Sequence, residues 1–477
     1  MNEYSYYVGG ESKQSNKPIE VVNPATEEAF ALIFETTKKD LQLALSKAQA
    51  AQRVWRQTSF PERARIVREI AKIIIDNLSD LASLETQEIG KPLKESLFID
   101  IPLGAESFNY YASFLESLEE ECMRTERGVD AIRYEPFGVC GVYLPFNTPL
   151  MIFGFSCAAS LAAGNALIIK PSEYGSLSLL KLASLIDTLD IPPGLINIVS
   201  GKGETIGRYL SESDLDLISF TGSRHTLKKL IAQSADNPKK IICELGGCNL
   251  TVIFSDANKE DAVDNLLGSS FIKQGQMCIG TSVALIEESI YDEVIEALID
   301  KVGSITLGDP FDSTVGMGPL VSKQHLQDVD QKVRALLKEG ATILRGGVPL
   351  PQRGYFYPPT LIAIEEMVYQ EFFAPVILIK KFKAGEIEDL VRANTTGLVM
   401  QIWSQDLHKA YHLADQAECG TVWINTFAQL TPQTPFGGTK QSGWGRNLGK
   451  SGFFEYVQPK HIGIGFSTSP VKGWFGI

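Results

Sequence analysis

The amino-acid sequence predicts an α/β fold: a Rossmann-like five-stranded domain, a second α/β domain and a small β arm. Three observations carry that expectation. From Gly138 to Cys243, short apolar runs (Val139–Leu144, Ala166–Lys170, Ile196–Val199, Leu217–Phe220 and Ile241–Cys243) alternate with stretches long enough for crossover helices, as parallel strands require. The alternation restarts at Leu250–Phe254 and continues through a helix over Lys259–Ile272, a strand over Val283–Ile286, a helix over Tyr291–Val302 and similar units to about Asn425. Between Leu118 and Tyr134, and again after Tyr456, the chain is extended and poor in helix signals.

In chain order, the first segment, through Asn23-Pro24-Ala25-Thr26, alternates apolar and polar residues with turn punctuation, as edge strands do. Asp40–Trp55 then places Leu41, Ala44, Leu45, Ala48 and Ala51 on one helical face. Ser59-Phe60-Pro61-Glu62 has the spacing of a capping box ahead of Ile66, Ile70, Ile73 and Ile74. Gly90-Lys91-Pro92 breaks the next helix, and Asp100–Leu118 supplies another. Leu150–Ile169 carries no charge over a length able to cross a hydrocarbon core of about 30 Å. Its Gly164-Asn165 turn signal divides it, so a buried helix-turn-strand is expected and a membrane span is not.

Length and composition set bounds. A chain of 477 residues can bury two or three cores, and 44% apolar with 21% charged residues suits a soluble protein. A formal charge of -13 without a basic block argues against nucleic acid as a partner. Cysteines at 122, 140, 157, 243, 248, 278 and 419 show no CxxC spacing, which argues against a disulfide framework or a zinc site and for a reducing, cytoplasmic setting. The Met1–Tyr7 start lacks the basic and apolar regions of a signal peptide. His225, His325, His408, His412 and His461 are dispersed, and His408 with His412 lacks the acidic neighbours of a zinc helix, so no metal is expected.

The candidate chemistry centres on Phe271–Gly280, where Gly275 permits a sharp turn that projects Gln276 to Cys278 into a cleft. Taken alone, a cysteine such as Cys278 is more often core filler than catalyst, because free cysteine is among the most buried residue types. Glu244, in Cys243-Glu244-Leu245-Gly246-Gly247, ends the last strand of the first sheet, where ligands of open α/β sheets bind; it suits a general base, or else a solvated loop glutamate. Asn147, held between Pro145 and Pro149 after the first strand, offers an amide to a developing oxyanion, or simply stabilises a turn. Lys170 and Glu173 stand at the end of the second strand, where an acid accepting from both ribose hydroxyls favours NAD over NADP. After the fourth strand, Gly222 and Ser223 open a helix able to receive a pyrophosphate.

These residues fall into an ordered set. Asn23–Thr26, Pro145–Asn147, Gly164-Asn165 through Lys170–Glu173, Phe220–Ser223, Glu244–Gly247, Gly275–Cys278, Glu371–Pro375 and Pro435–Gly443 stand in the order found in the NAD(P)-dependent aldehyde dehydrogenase superfamily, which the chain resembles over essentially its whole length. The resemblance implies an NAD-binding domain over 1–117 and 137–245, a catalytic domain over 246–440 and an oligomerisation arm over 118–136 and 457–477, through which the family forms homodimers or homotetramers. It implies Cys278 as nucleophile, Asn147 with the Cys278 amide as oxyanion donors, and Glu244 as the base that activates water against a thioester. NAD, with NADP as the alternative, is expected against Pro145, Phe146, Lys170, Ser172, Glu173, Gly203, Phe220, Gly222, Ser223, Leu245, Gly246, Glu371 and Phe373.

Departures from the family pattern accompany it. Arg224-His225-Thr226-Leu227 follows Ser223 where a glycine is usual, so Leu227 is expected to crowd the diphosphate and Arg224 to pair with it. Cys248 replaces a lysine, Val283 an arginine, Ala374 a glycine and Asn447 a glutamate, and a short deletion precedes Gly397. Around the expected substrate tunnel stand Thr148, Met151, Ile152, Phe155, Met277, Ile279, Phe427, Leu430 and Phe436. None is charged, so an apolar or aromatic aldehyde is expected rather than one bearing a carboxylate. Two alternatives stay open. Phe146 resembles the CoA-acylating branch, although that branch typically lacks the acid supplied by Glu244, and the altered loop leaves room for a non-catalytic relative.

Overall fold

The computed structural model describes residues 1–466. The end of the arm's expected 457–477 segment, with Trp474 and Phe475, lies outside the described residues. All five strands expected in the first domain are present and parallel, in the spatial order 240–245, 217–222, 139–144, 166–171, 196–198. The sheet is wider than five strands. Tyr6–Val8 and Glu11–Lys13 add antiparallel strands beyond 196–198, and Gly443–Trp444 adds one beyond 240–245. Strands of two or three residues are too short for periodicity to single out, yet they cover both edges of the sheet.

The uncharged stretch resolves as expected into a helix, Pro149–Ala163, all 15 of whose residues are buried, and a strand, Ala166–Pro171. Gly164 ends the helix in a left-handed conformation (φ 102°). The buried guanidinium of Arg63 closes that end by donating to the Ala162 carbonyl at 2.8 Å. Gly154 lets the neighbouring helix Ile101–Glu116 cross closely, since a Cβ there would lie 2.2 Å from the Gly104 carbonyl oxygen. Among the described residues, no helix is long and apolar enough to cross a membrane.

A second, seven-stranded sheet follows the order 342–345, 360–363, 376–382, 281–287, 249–253, 399–403, 421–424, parallel except at the first pair. The arm is a three-stranded antiparallel sheet in which Gly128–Pro136 lies between Glu121–Arg124 and Val457–Gly465. In the first sheet the chain leaves strand 139–144 toward one edge and returns to strand 217–222 on its other side. The loops after those two strands therefore part, opening a crevice at the carboxyl end.

Candidate active site

The helix Lys259–Phe271 ends just before the candidate nucleophile. The turn expected at Gly275 is present and begins two residues earlier: Lys273, Gln274 and Gly275 are consecutively left-handed, with φ of 55°, 56° and 66°. Glycine is required at the third position, because a Cβ there would sit 2.2 Å from the Ala374 carbonyl oxygen. The following segment is pinned on both sides. Asn249 donates its side-chain amide to the carbonyls of Cys278 (2.7 Å) and Gly280 (2.8 Å). The Gln276 side-chain oxygen accepts from the Val321 amide at 3.1 Å, and the Gln276 carbonyl accepts from the Asn147 side chain at 2.9 Å. Cys278 emerges half-buried on the wall of a cleft of about 1020 Å³.

Asn147 and Glu244 line the same cleft. Glu244 is not a solvated loop residue: it is the penultimate residue of strand 240–245, only 5% exposed, and neither carboxylate oxygen has a hydrogen-bond partner among the described residues. Burial pushes its carboxyl well above the usual range, with the nearby Arg446 cation partly opposing. The Cys278 thiol is pushed up to about 12, first by burial and then by the charges of Glu244 and Glu371, with Lys273 opposing. A buried acid without partners beside a half-buried thiol is the combination from which a proton can be exchanged in a dry site.

The cofactor residues named from the sequence, from Pro145 to Phe373, all line this cleft. Their chemistry fits a dinucleotide. The Ser223 hydroxyl accepts from the Thr226 amide and caps the helix Arg224–Ser234, whose first turn faces the cleft. Lys170 is buried and donates to the Pro171 carbonyl at 3.0 Å, with Glu173 3.8 Å away, leaving further ammonium protons for a ribose. Gly246 is matched to Glu371: a Cβ at Gly246 would lie 2.1 Å from the Glu371 carboxylate. Burial pushes the Glu371 carboxyl up to about 7, against the opposing hydrogen bond from the Gly247 amide. The rings of Phe146 and Phe373 meet edge to face, 5.8 Å between centroids.

One expectation fails here. Leu227 does not crowd the phosphate position, because the helix turns it into the core, where it is 3% exposed, while Arg224, Thr226, Lys229, Leu230 and Gln233 of the same helix reach the cleft. Sequence reasoning also missed Lys202, Arg208, Lys229, His325 and Lys332 on the cleft wall. The spacing of lysines on amphipathic surface helices gives no sign of which one faces a ligand.

On the substrate side, Phe155, Phe436 and Ile152 line the cleft together with Leu398. Met151, Met277 and Ile279 lie instead in the apolar core behind it, at 9%, 6% and 8% exposure. Thr148 is buried, and Phe427 and Leu430 pack partly buried on that core, outside the cleft lining. Met277 and Ile279 flank a residue that faces the cleft, so the backbone turns both away from it.

A profile of the aldehyde dehydrogenase family matches residues 11–462. The chain is 37% identical over 486 residues to betaine aldehyde dehydrogenase of Bacillus subtilis (strain 168), covering 98% of this chain and 99% of the relative. It is 34% identical to cytosolic aldehyde dehydrogenase 1 of Mus musculus, over 95% of this chain and 93% of that one. Among solved structures, betaine aldehyde dehydrogenase from Staphylococcus aureus in complex with NAD+ superposes with a TM-score of 0.95 at 34% identity, over 98% of this chain and 96% of that one. A point mutant of the same enzyme, with NAD+ and a BME-modified cysteine, gives 0.96 at 34% identity over 100% of both chains.

Proposed function

The chain belongs to the aldehyde dehydrogenase family, oxidoreductases that use NAD, and from that premise we propose that Cys278, Glu244 and Asn147 convert an apolar or aromatic aldehyde to its carboxylic acid. The observation that carries this reading is the convergence of those three side chains on one cleft with all the cofactor residues. The Cys278 thiol loses its proton to solvent through the cleft, with Glu244 helping to carry it, and the thiolate attacks the aldehyde carbon. The oxyanion of the thiohemiacetal then accepts from the Asn147 amide and the Cys278 backbone N–H. NAD, when bound, supplies the acceptor for the hydride that leaves this carbon. Glu244 next takes a proton from the water that attacks the thioester, and the acid departs from the Cys278 sulfur. A buried carboxylate at this point favours water over a thiol as the resolving nucleophile, and so hydrolysis over CoA acylation.

The cleft wall of Ile152, Phe155, Leu398 and Phe436 supports the apolar or aromatic substrate. A second reading comes from the relatives named for betaine aldehyde: the faces of Phe155 and Phe436 also suit a quaternary ammonium group, through cation–π attraction. NADH formation from benzaldehyde, hexanal, betaine aldehyde and succinic semialdehyde, with NAD or NADP and with or without CoA, tests both. Highest kcat/KM on an uncharged aldehyde is expected. Preference for succinic semialdehyde overturns the substrate assignment, and dependence on CoA overturns the hydrolytic one. The arm, a single layer with Met123, Ile464 and Phe466 exposed, supports pairing between chains as a homodimer or homotetramer, to be checked by light scattering. The scattered free thiols support a cytoplasmic setting.

A further inference from the structure

Behind the nucleophile loop lie five buried ionisable side chains: Glu85, Lys91, Glu95, Asp100 and Lys273. The Lys91 ammonium donates to Glu85 at 2.5 Å and to Asp100 at 2.7 Å. The other Asp100 oxygen meets the Lys273 ammonium at 2.5 Å, and the Lys273 backbone amide donates to Glu95 at 3.2 Å. The cluster reaches the other half of the site as well. Lys91 lies 3.4 Å from the Asn147 carbonyl oxygen, and Glu85 accepts from the Leu150 amide at 3.1 Å. One chain of buried charge thus runs from the loop that carries Asn147 to the turn that precedes Cys278.

Two features single out Lys273 within it. It opens the left-handed turn, a conformation that costs any residue with a Cβ, and Gln274 shares it while donating to the Gly90 carbonyl at 2.6 Å. Such a turn persists only where its surroundings hold it, and at Lys273 both the main chain and the ammonium are anchored to buried carboxylates. The second feature is charge. Glu244 and Glu371 act against ionisation of Cys278 from across the cleft, and Lys273, on the loop's own side, acts for it.

We propose that Lys273 is a positioning residue for the reaction: paired with Asp100, its ammonium locks the turn that presents Cys278 and supplies positive charge behind the thiolate. The inference rests on Cys278 being the nucleophile. Asp100 and Glu95 face Lys273 from the neighbouring helical segment and set how much of its charge is felt. Substituting Lys273 removes that charge, whereas substituting Asp100 exposes it, although both break the same ion pair. Electrostatics therefore predicts opposite effects on the thiol where simple bracing predicts parallel ones.

The test is the rate at which iodoacetamide abolishes the NADH-forming activity of the full chain at pH 8 in the absence of cofactor. A cation of this kind moves a thiol by about one pH unit. That changes the thiolate population about tenfold, and the compensating change in nucleophilicity leaves about threefold in rate. Lys273→Gln is expected to be inactivated about threefold more slowly than the parent, Asp100→Asn about threefold faster, and Lys273→Arg close to the parent rate. Equal rates for all four proteins, or Lys273→Gln and Asp100→Asn moving in the same direction, overturn the proposal. If iodoacetamide leaves the parent active, the assignment of Cys278 as nucleophile fails first.

Discussion

The side-chain amide of Asn147 donates to the carbonyl oxygen of Gln276 across 2.9 Å, tying the loop after the first Rossmann strand to the loop that bears Cys278. An amide nitrogen carries two protons, so this bond fixes the group and leaves one donor for an oxyanion. Asn147→Ala removes both functions. Its kcat is expected to fall about a hundredfold to a thousandfold, the usual cost of a lost oxyanion donor, with little change in the affinity for NAD. Steady-state kinetics paired with NAD titration by fluorescence checks the split; a weaker cofactor complex with unchanged kcat contradicts it.

Glu244→Gln separates the two half-reactions. Without a base to activate water, deacylation is expected to slow by a factor of about a hundred to ten thousand. Because the thiol proton reaches solvent without this carboxylate, rapid mixing is expected to show a burst of NADH approaching one equivalent per chain, followed by near silence. Hydroxylamine, which attacks a thioester unaided, is expected to restore turnover. Full steady-state activity in the variant removes Glu244 from the mechanism.

Glu173 stands 3.8 Å from the Lys170 ammonium at the wall of the cofactor cleft. A carboxylate there repels a ribose phosphate, so Glu173→Gln is expected to narrow the preference for NAD over NADP about tenfold, through KM for NADP. Parallel titrations with both cofactors measure it, and an unchanged ratio places the discrimination elsewhere.

Much of this site was legible because its parts sit at strand ends in short motifs: Glu244 and Lys170 at the close of two apolar runs, Asn147 just after another. What was not legible depends on distance in the chain. Lys273 in isolation looks like a surface lysine; its partner Asp100 belongs to a helical segment far earlier, and nothing in either sequence neighbourhood announces a buried pair. Leu227 failed for a rotational reason, since one residue along a helix turns a side chain by about 100° and moved it from ligand to core. Met277 and Ile279 lie outside the cleft lining for a similar reason, on the two sides of a residue that itself faces the cleft.

The buried acids also set a pH dependence of stability. Burial pushes Glu88, Glu95 and Glu371 up to about 7 from an ordinary 4.5. As pH rises above about 4.5 the unfolded chain releases these protons while the folded chain keeps them until near 7, so each group's contribution to stability falls across that window and levels off above it. Glu95→Gln removes one such group. Its Tm is expected to decline less than the parent's between pH 5 and 7 in thermal melts of the cofactor-free protein, and parallel curves contradict the assignment.

The central claim is that a covalent bond to Cys278 carries the oxidation. Mass spectrometry of Glu244→Gln, quenched after mixing with NAD and the best aldehyde of the panel, tests it most directly. The account predicts an acyl adduct on the peptide containing Cys278, matching the NADH burst in amount and absent when Cys278→Ser is added to the same chain. NADH formed at an undiminished rate by Cys278→Ser alone, with no adduct on the parent peptide, would contradict it.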